Sequence, residues 1–523
     1  MSLAPVFPAV AVMAALGLIL AGAAGAALAR ASRRAAAALG IGGAVAGAIL
    51  GLAGALAALP GGAADLHLAW GVPYGSFHVG VDPLSALFLV PVFLLTALAA
   101  VYSAGYWRHE PATRAADGRC FMNLLAASMV LVLVARNAVL FLAAWEAMTL
   151  TSFRLVAFDP GRAETRRAAW IYLAASQVGA ACLLAIFLRL GAGQPGLDFD
   201  GLAGFAARMP DAVPLVLALG ALGFGLKAGL MPLHGWLPVA HPAAPSPVSA
   251  VMSGVMIKTG VYGLVRLAML AGDVPAGFGW LLLSAGLVSA VLGVLRALAE
   301  RDMKRMLAYS SVENVGLIAA GLGLGFLGLA HGRPEIAFAG LAGGLLHVLN
   351  HALFKGLLFL GAGAVAESAG TRDMDRLGGL WRRMPVTGPA FLVGAAAIAA
   401  LPPLNGFAGE FLLFAAGFAG VRAAGPVAAA GAATVAALAL IGGLSAACFV
   451  RAFGLSFLGE PRSAQAAAAR EAGRSLQWPL ATLAGLCVVA GLAAPQILRA
   501  VAGVVASIAP AAAPAAQIGR AHV

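Results

Sequence analysis

The chain has 523 residues, of which 62% are apolar and only 10% are charged, compared with roughly 45–50% and about 25% in soluble domains. This composition excludes a water-soluble globule. The formal charge of +12 does not indicate nucleic-acid binding, because the basic residues are dispersed between apolar runs and form no patch. The sequence therefore predicts a protein that crosses the lipid bilayer many times and has no nucleic-acid partner.

Apolar runs of the length that crosses a bilayer, roughly 20 helical residues, recur along the whole chain. The first run has no basic region before it and is followed by many others, so we predict a retained helix and not a cleaved signal. A loop at 60–82, in which apolar residues alternate, predicts a small β-hairpin. The sequence predicts about 14 transmembrane helices, at 6–29, 35–59, 83–107, 120–135, 137–158, 169–190, 212–232, 248–270, 277–299, 306–330, 336–366, 386–420, 426–457 and 477–507.

Basic residues are distributed unequally between alternate loops of this predicted bundle. Because loops rich in Arg and Lys stay on the cytoplasmic side, the distribution places the N-terminus outside, in a multi-pass protein of the cell (inner) membrane. The basic loops lie near residues 30–34, 108–119, 162–167, 296–305, 372–383 and 462–474.

Two predicted helices, the seventh and the twelfth, are interrupted by prolines, after Lys227 and before Glu410. Irregular backbone at membrane depth is tolerated only where protein or water solvates it. The interruptions lie five helices apart. Because five is an odd number, a repeat of five membrane-spanning helices has a second copy that is inverted in the membrane, as in many transporters. The predicted units are three N-terminal helices at 1–119, a first five-helix repeat at 120–272, an inverted second repeat at 273–457, and a last helix at 458–523.

Lysines are placed differently from arginines. Only four of the 33 basic residues are lysines, and one of them, Lys304, falls in a predicted basic loop. The other three lie in apolar helices, where a charge costs about 3 kcal/mol or more. Arginine stays protonated in proteins, whereas a desolvated lysine can release its proton, so this placement indicates proton exchange within the bilayer. The three intramembrane lysines are Lys227, Lys258 and Lys355.

Carboxylates and histidines join these lysines in the apolar runs. Glu146, Glu313 and Glu410 are the carboxylates. His347, His351 and Lys355 recur every four residues, so they share one helix face and span roughly 12 Å. Such a row can pass a proton between stations, with water filling the gaps.

Each of these residues also has a structural interpretation. A lone intramembrane charge can be half of an ion pair. Arg154 and Arg266, near helix ends, are expected to snorkel or to pair and not to shuttle protons. Glu313 fits a relay or a packing role equally well. His347 and His351 have metal-ligand spacing, but no third ligand is evident, so no metal is predicted. No cofactor is predicted in this chain either, because its cysteines lack cluster spacing: Cys120, Cys182, Cys448 and Cys487.

The stretch GLKAGLMPLHGWLPVAHPAAPSPVSAVMSGVMIKTGVYGLVR, residues 225–266, resembles the proton-conducting antiporter-like membrane subunits of respiratory complex I, Mrp-type cation/proton antiporters and membrane-bound nickel-iron hydrogenases. The resemblance covers residues 83–457. Within the family, AHPAAPS, MSGVMIKTG and AYSSVENVG resemble the branch of hydrogenase-4 component B and formate hydrogenlyase subunit 3. Two residues depart from the pattern: Pro247 stands where that branch often has His, and Arg154 where an apolar or aromatic residue is usual.

The resemblance implies a role for each intramembrane polar residue. It implies Glu146 as the carboxylate of the fifth helix, Lys227 as its partner on the seventh, Lys258 as the central station on the eighth, His347, His351 and Lys355 as the link on the eleventh, and Glu410 as the exit on the twelfth.

The expected function is that of a proton-translocating subunit of a complex I-like redox complex, of the membrane-bound nickel-iron hydrogenase or formate hydrogenlyase type. The expected partners are other membrane subunits, a peripheral redox arm of hydrogenase or dehydrogenase subunits, and protons, with sodium as a further candidate. The alternatives are an Mrp-type antiporter subunit, an NADH-quinone oxidoreductase subunit and a structural anchor. Residues 518–523 match the translation of a sequencing adapter, so we expect a truncated C-terminus.

Overall fold

The computed structural model describes residues 6–61, 64–68 and 70–512, and these are almost entirely helical. The adapter-like residues 518–523 lie outside this described part. Within it, 13 helices are long and apolar enough to cross a membrane, which confirms an all-helical membrane protein. The predicted number is one higher because the segment at 386–420 forms two shorter helices.

Three long helices and a small hairpin form the N-terminal part. They are α1 (Phe7–Leu28), α2 (Arg33–Ala58), β1 (Ala64–Leu68), β2 (Phe77–Val81) and α3 (Pro83–Tyr106). The two strands pair antiparallel with His67 opposite His78, which confirms the hairpin predicted between residues 60 and 82. Helix α3 begins where the Asp82 carboxylate accepts a hydrogen bond from the Ser85 amide at 2.8 Å, a typical N-cap.

The middle part of the chain mixes long and short helices. They are α4 (Ala112–Val134), α5 (Ala138–Val156), α6 (Ala163–Gly191), α7 (Phe199–Leu202), α8 (Phe205–Arg208), α9 (Val213–Ala228), α10 (Leu237–Ala243), α11 (Ser246–Val251) and α12 (Ile257–Ala271). Helix α9 ends at Gly229, whose φ of 81° is left-handed, and a 3-10 helix at Leu233–Trp236 leads into α10. A π-helical turn, Met252–Met256, joins α11 to α12.

The C-terminal part contains the longest helices. They are α13 (Ala276–Ala299), α14 (Met303–Ala330), α15 (Pro334–Ala369), α16 (Thr387–Ile398), α17 (Asn405–Arg422), α18 (Pro426–Phe457), α19 (Ala464–Ala468), α20 (Arg474–Leu492) and α21 (Ala494–Ile508). Pro402 and Pro403 lie between α16 and α17, where their missing amide hydrogens disfavour a continuous helix. The helix predicted at 477–507 is likewise divided, into α20 and α21.

Helix α15 lies at the centre of this assembly. It packs against α3, α11, α14, α16, α17, α20 and α21, so most of its length is shielded from lipid. Its neighbour α14 is almost completely buried and packs closely on α13 through glycines, because a side chain at Gly286 would collide with the α14 backbone. Polar residues on α14 and α15 therefore lie deep within the protein.

Loops of the same predicted set contact one another. On one face, backbone bridges join Val79 to Ala135 and Asn137 to Asp198. On the other face, a bridge joins Asp302 to Asp373, and Arg33 donates to the Glu110 carbonyl at 2.6 Å. These contacts agree with the predicted alternation of basic and non-basic loops, whereas the assignment of the basic face to the cytoplasm stays a prediction.

Candidate functional site

Lys258 and His351 form the central contact of the buried polar row. Lys258 is 2% exposed and lies in the first turn of α12, directly after the π-helical turn. Its Nζ donates to the Ser253 carbonyl and contacts Nδ1 of His351 on α15. Among the described residues, no carboxylate oxygen lies within 4.0 Å of Lys258 Nζ. A lysine and an imidazole in direct contact, both shielded from solvent, can exchange a proton.

Helix α14 supplies neutral partners to both ends of the row on α15. His347 Nε2 lies 2.9 Å from Asn314 Oδ1, and Lys355 Nζ donates to Ser310 Oγ at 2.5 Å. Lys355 also donates to the Leu307 carbonyl at 2.8 Å. These partners are all neutral: an amide oxygen for His347, and a hydroxyl and a carbonyl for Lys355. They stabilise the two side chains by hydrogen bonds and add no counter-charge that would fix the protonation state.

A pair of hydroxyl groups connects the π-helical turn to α14. The Oγ atoms of Ser253 and Ser311 are 2.8 Å apart and buried. The Ser253 carbonyl accepts the hydrogen bond from Lys258. Ser311 is next in sequence to Ser310, whose hydroxyl accepts the hydrogen bond from Lys355. This hydroxyl pair therefore holds the segment that binds Lys258 against the segment that binds Lys355.

Two glutamates in the C-terminal part of the chain, Glu313 and Glu410, lie at the edge of this row. Glu313 is fully buried on α14, and its Oε2 has no hydrogen-bond partner among the described residues. Glu410 is buried on α17, next to Gly409. A methyl group on Gly409 would come within 2.8 Å of His347 Nδ1, so this glycine lets α17 approach the row closely.

Lys227 lies in a separate polar pocket at the end of α9. Its Nζ donates to Tyr172 OH at 2.8 Å and to Thr149 Oγ1 at 3.2 Å. It also lies over the Trp145 ring at 5.7 Å from the centroid. Hydroxyl groups and aromatic faces therefore solvate this ammonium group.

Glu146 does not form the expected ion pair with Lys227. Its Oε2 accepts a hydrogen bond from Gln177 Nε2 on α6 at 2.8 Å. No carboxylate within the described ranges lies within 4.0 Å of Lys227 Nζ. The partners of Lys227 Nζ are instead the neutral hydroxyls of Tyr172 and Thr149.

Tyr172 is a site residue that the sequence analysis missed. Its hydroxyl receives Lys227, donates to Ser152 Oγ at 2.9 Å, and lies 3.9 Å from the Met256 sulfur in the π-helical turn. It therefore lies between the Lys227 pocket and the segment that leads to Lys258. An isolated tyrosine in an apolar run carries no sequence signal of this position.

The structure corrects the assignment of Lys304 to a loop. This lysine is 2% exposed, and its Nζ donates to the Ala244 carbonyl at 2.6 Å and to Ser249 Oγ at 3.2 Å. The Ala244 carbonyl lies between α10 and α11, outside helical pairing, and the lysine satisfies it. His241, also missed from sequence, is fully buried nearby, and Ser249 Oγ donates to its carbonyl at 2.8 Å.

A cluster of opposite buried charges lies near the hairpin. Arg266 pairs with both oxygens of Asp82, at 2.6 and 2.9 Å, and Arg136 lies 3.3 Å from the same carboxylate, which confirms the expected pairing of Arg266. Burial raises the pKa of Asp82, but the two arginines lower it more, so its pKa lies well below the ordinary value. Arg154 instead lies over the Phe121 ring, 5.5 Å from its centroid.

Comparison with known proteins identifies the family of this fold. The family described as “NADH:quinone oxidoreductase/Mrp antiporter, TM” matches residues 135–435, and that described as “NADH-Ubiquinone oxidoreductase (complex I), chain 5 N-terminus” matches residues 74–115. A chain of the Mrp complex from Dietzia sp. DQ12-45-1b superposes with a TM-score of 0.79 over 98% of both chains, at 23% identity, and so has the same fold.

Two proteins of Escherichia coli are similar at higher identity. Hydrogenase-4 component B is 39% identical over 440 residues, which are 82% of this chain and 64% of that protein. Formate hydrogenlyase subunit 3 is 36% identical over 433 residues, which are 81% of this chain and 68% of that protein. The matched part therefore spans about two thirds of each relative. The chain belongs to the antiporter-like transmembrane family shared by NADH:quinone oxidoreductases and Mrp antiporters.

Proposed function

We propose that this chain is a proton-translocating membrane subunit of a complex I-like redox complex, of the membrane-bound hydrogenase or formate hydrogenlyase type. The observation that carries the proposal is a row of buried titratable side chains with neutral hydrogen-bond partners at the centre of the bundle. The proposed pathway residues are the half-buried Glu146 and the buried Lys227, Lys258, His347, His351, Lys355 and Glu410, with buried Glu313 as a further station.

The central step is proton exchange between Lys258 and His351. The protonated amine donates to the imidazole nitrogen, and transfer of that proton leaves a neutral amine beside a protonated ring. The Ser253 carbonyl accepts a hydrogen bond from the amine in either state. Since no described carboxylate lies within 4.0 Å of Lys258 Nζ, no adjacent counter-charge holds the proton on the lysine.

Onward transfer follows α15. His347 and Lys355 lie one helical turn on either side of His351, and water fills gaps that side chains do not span. Glu410 is the proposed exit, because its neighbour Gly409 lies directly against His347. Glu313 lies one turn from Ser310, which receives Lys355, and so offers a branch from the same row.

Entry takes place at Lys227 and Glu146. In the proposed cycle, Lys227 alternates between the hydroxyls of Tyr172 and Thr149 and the carboxylate of Glu146, whose Oε1 has no hydrogen-bond partner in the described part of the chain. The irregular backbone after Gly229 provides room for this rearrangement. Pairing with Glu146 favours the charged lysine, and separation favours proton release.

The remaining sequence predictions form part of the same proposal. Residues 120–272 and 273–457 are proposed inverted repeats, in which the α9–α10 and α16–α17 interruptions correspond. The chain is proposed to lie in the cell (inner) membrane with its N-terminus outside, to hold no redox centre, and to be driven by a peripheral redox arm of partner subunits. The names of the two E. coli relatives favour hydrogenase or formate hydrogenlyase partners.

The proposal is tested with Lys258→Arg in the intact complex, in inverted membrane vesicles supplied with hydrogen, formate or NADH. Arginine keeps the positive charge but does not deprotonate, so we expect normal assembly and electron transfer with proton uptake reduced at least about tenfold. Lys304→Arg is the matched control, because Lys304 is an equally buried lysine outside the row, and should retain proton uptake.

Wild-type proton uptake in Lys258→Arg would exclude Lys258 as a carrier. Sodium-dependent proton flux without an electron donor would instead support an Mrp-type antiporter subunit.

A further inference from the structure

A second cluster of titratable residues lies away from the proton row, on the face of the hairpin. His67 on β1 and His78 on β2 are direct cross-strand partners, and Asp198 lies just before α7. One ligand atom from each of the three lies within 4.8 Å of the others. His67 Nε2 and His78 Nδ1 are each 3.8 Å from an Asp198 carboxylate oxygen.

The neighbouring groups orient these side chains. Asn137 caps α5 through its Oδ1, so its Nδ2 points at Asp198 Oδ1, 2.9 Å away. Ser76 Oγ donates a hydrogen bond to the same Asp198 oxygen, Oδ1, so the other oxygen, Oδ2, stays available to bind a cation. The His78 carbonyl accepts a hydrogen bond from the Arg136 amide at 2.9 Å, so the strand that carries this histidine is anchored.

The inner histidine lacks a partner. His78 is 8% exposed, and its Nδ1 is buried without a hydrogen bond from any described residue, although Asp198 lies nearby. A buried polar atom without a partner is costly, and a bound cation would satisfy it. In contrast, the His67 side chain is 59% exposed and leaves the cluster open to solvent.

We propose that His67, His78 and Asp198 bind a divalent transition-metal cation, with Zn²⁺ as the best fit. Two imidazoles and a carboxylate form a typical three-ligand zinc set, and solvent at the exposed side completes a tetrahedron. Metal–ligand bonds of about 2.1 Å place tetrahedral ligand atoms about 3.4 Å apart. The two histidine–carboxylate distances of 3.8 Å therefore need to shorten by about 0.4 Å, and no distance within the cluster by more than about 1.4 Å.

The metal would fasten the hairpin between α2 and α3 to the connection that follows α6, where Asp198 lies. Asn137, before α5, is joined to the same place by its hydrogen bond to Asp198. The ligands of this site are far apart in the chain and have no motif spacing, so the sequence alone does not reveal it. The inference concerns a binding site outside the proton row and does not depend on the proposed function.

The test uses the 523-residue chain purified in detergent and freed of metal with EDTA. Co²⁺ is the spectroscopic probe, followed by its visible absorption, and Zn²⁺ the competitor. We expect one Co²⁺ per chain, displacement by Zn²⁺, and a higher thermal unfolding midpoint with either metal. Absence of saturable Co²⁺ binding by the wild-type chain would overturn the proposal.

Two ligand variants locate the bound metal. His67→Gln and Asp198→Asn should each weaken Co²⁺ affinity at least about tenfold. His67→Gln is informative because its exposed side chain is not needed for packing. The matched control is His109→Gln, which removes an exposed histidine outside the cluster and should leave affinity unchanged. Unaltered Co²⁺ binding in both ligand variants would place the metal elsewhere and refute the assignment.

A positioning variant separates a metal site from a simple hydrogen-bonded cluster. Ser76→Ala removes a donor to Asp198 without removing a ligand, and it should weaken Co²⁺ affinity about tenfold. The unfolding midpoint of Ser76→Ala in EDTA should match that of the wild type. If Ser76→Ala lowers the midpoint in EDTA and leaves Co²⁺ affinity unchanged, the cluster is structural and the proposal fails.

Discussion

Two groups of buried cations in this protein are solvated in opposite ways. Near the hairpin, Arg136 and Arg266 surround the carboxylate of Asp82, and Arg266 binds both of its oxygens. In the centre of the bundle, Lys258 and Lys355 are bound by carbonyl, hydroxyl and imidazole groups. The first group pairs opposite charges, whereas the second places amines among neutral partners.

We infer that this difference separates anchoring from the proposed proton exchange. A guanidinium bound by a carboxylate through two hydrogen bonds holds its geometry and its charge, which suits a fixed joint between helices. An amine with neutral partners keeps hydrogen bonds in both protonation states, so the loss of its proton breaks no ion pair. In these two groups, arginine stands where the charge is paired and lysine where we propose that it changes.

The largest expected effect on stability follows from removal of the carboxylate of the ion cluster. Asp82→Asn leaves two buried arginines without a counter-charge and should lower the free energy of unfolding by about 3 kcal/mol, with a lower unfolding midpoint in detergent. The proton uptake per assembled complex should stay near the wild-type value. Loss of proton uptake at unchanged stability would contradict the division between the two groups.

The pH dependence of that variant has a defined sign. The pKa of Asp82 is lowered in the folded protein, so its stabilising contribution is complete above the unfolded-state pKa of about 3.9 and is lost only as the pH falls below it. The difference in stability between the wild type and Asp82→Asn should therefore be constant above about pH 5 and decrease at lower pH. A difference that changes between pH 6 and 8 would show that another group titrates.

The sequence predicts the helices well because the bilayer sets their length. Apolar runs of about 20 residues give the positions of most spans, and the positive-inside distribution gives the grouping of the loops. The segments at 386–420 and 477–507 are exceptions, because each forms two helices. The prolines before Glu410 predict an interruption in the first, but its apolar composition is continuous and so counts as one span. Apolar composition predicts which segments lie in the bilayer. Where a helix ends depends instead on which backbone hydrogen bonds form, and composition does not show these.

Contacts within the site are less predictable than its members. Glu146 and Lys227 are recognised from sequence, but their partners Gln177 and Tyr172 depend on how α5, α6 and α9 pack. The sequence assigns Lys304 to a loop because its neighbours in sequence include several arginines. In the structure it is buried, because its amine binds the Ala244 carbonyl between α10 and α11. The sequence shows which apolar runs contain a charged residue, but the partner of that residue depends on how the helices pack.

An intermediate effect is expected at Glu313, which belongs to neither group clearly. Its carboxylate is buried, and its Oε2 lacks a hydrogen bond from the described residues. Glu313→Gln keeps the shape and removes the titration, so we expect proton uptake to fall by about threefold with normal assembly, since the contact between Lys258 and His351 is intact. Full proton uptake together with reduced assembly would assign Glu313 to packing.

The smallest effect is expected at Arg154, where this chain departs from the family pattern. Arg154 lies eight residues from Glu146 on the same helix, and a cation within range of that carboxylate could alter proton entry. The structure instead places its guanidinium over the Phe121 ring, a contact worth about 0.5–1 kcal/mol at an exposed position, while Glu146 binds Gln177. Arg154→Leu should therefore change proton uptake by less than about twofold and leave its pH profile unchanged. A shifted pH profile in this variant, measured in the same vesicles as Lys258→Arg, would show that the arginine charge acts on Glu146.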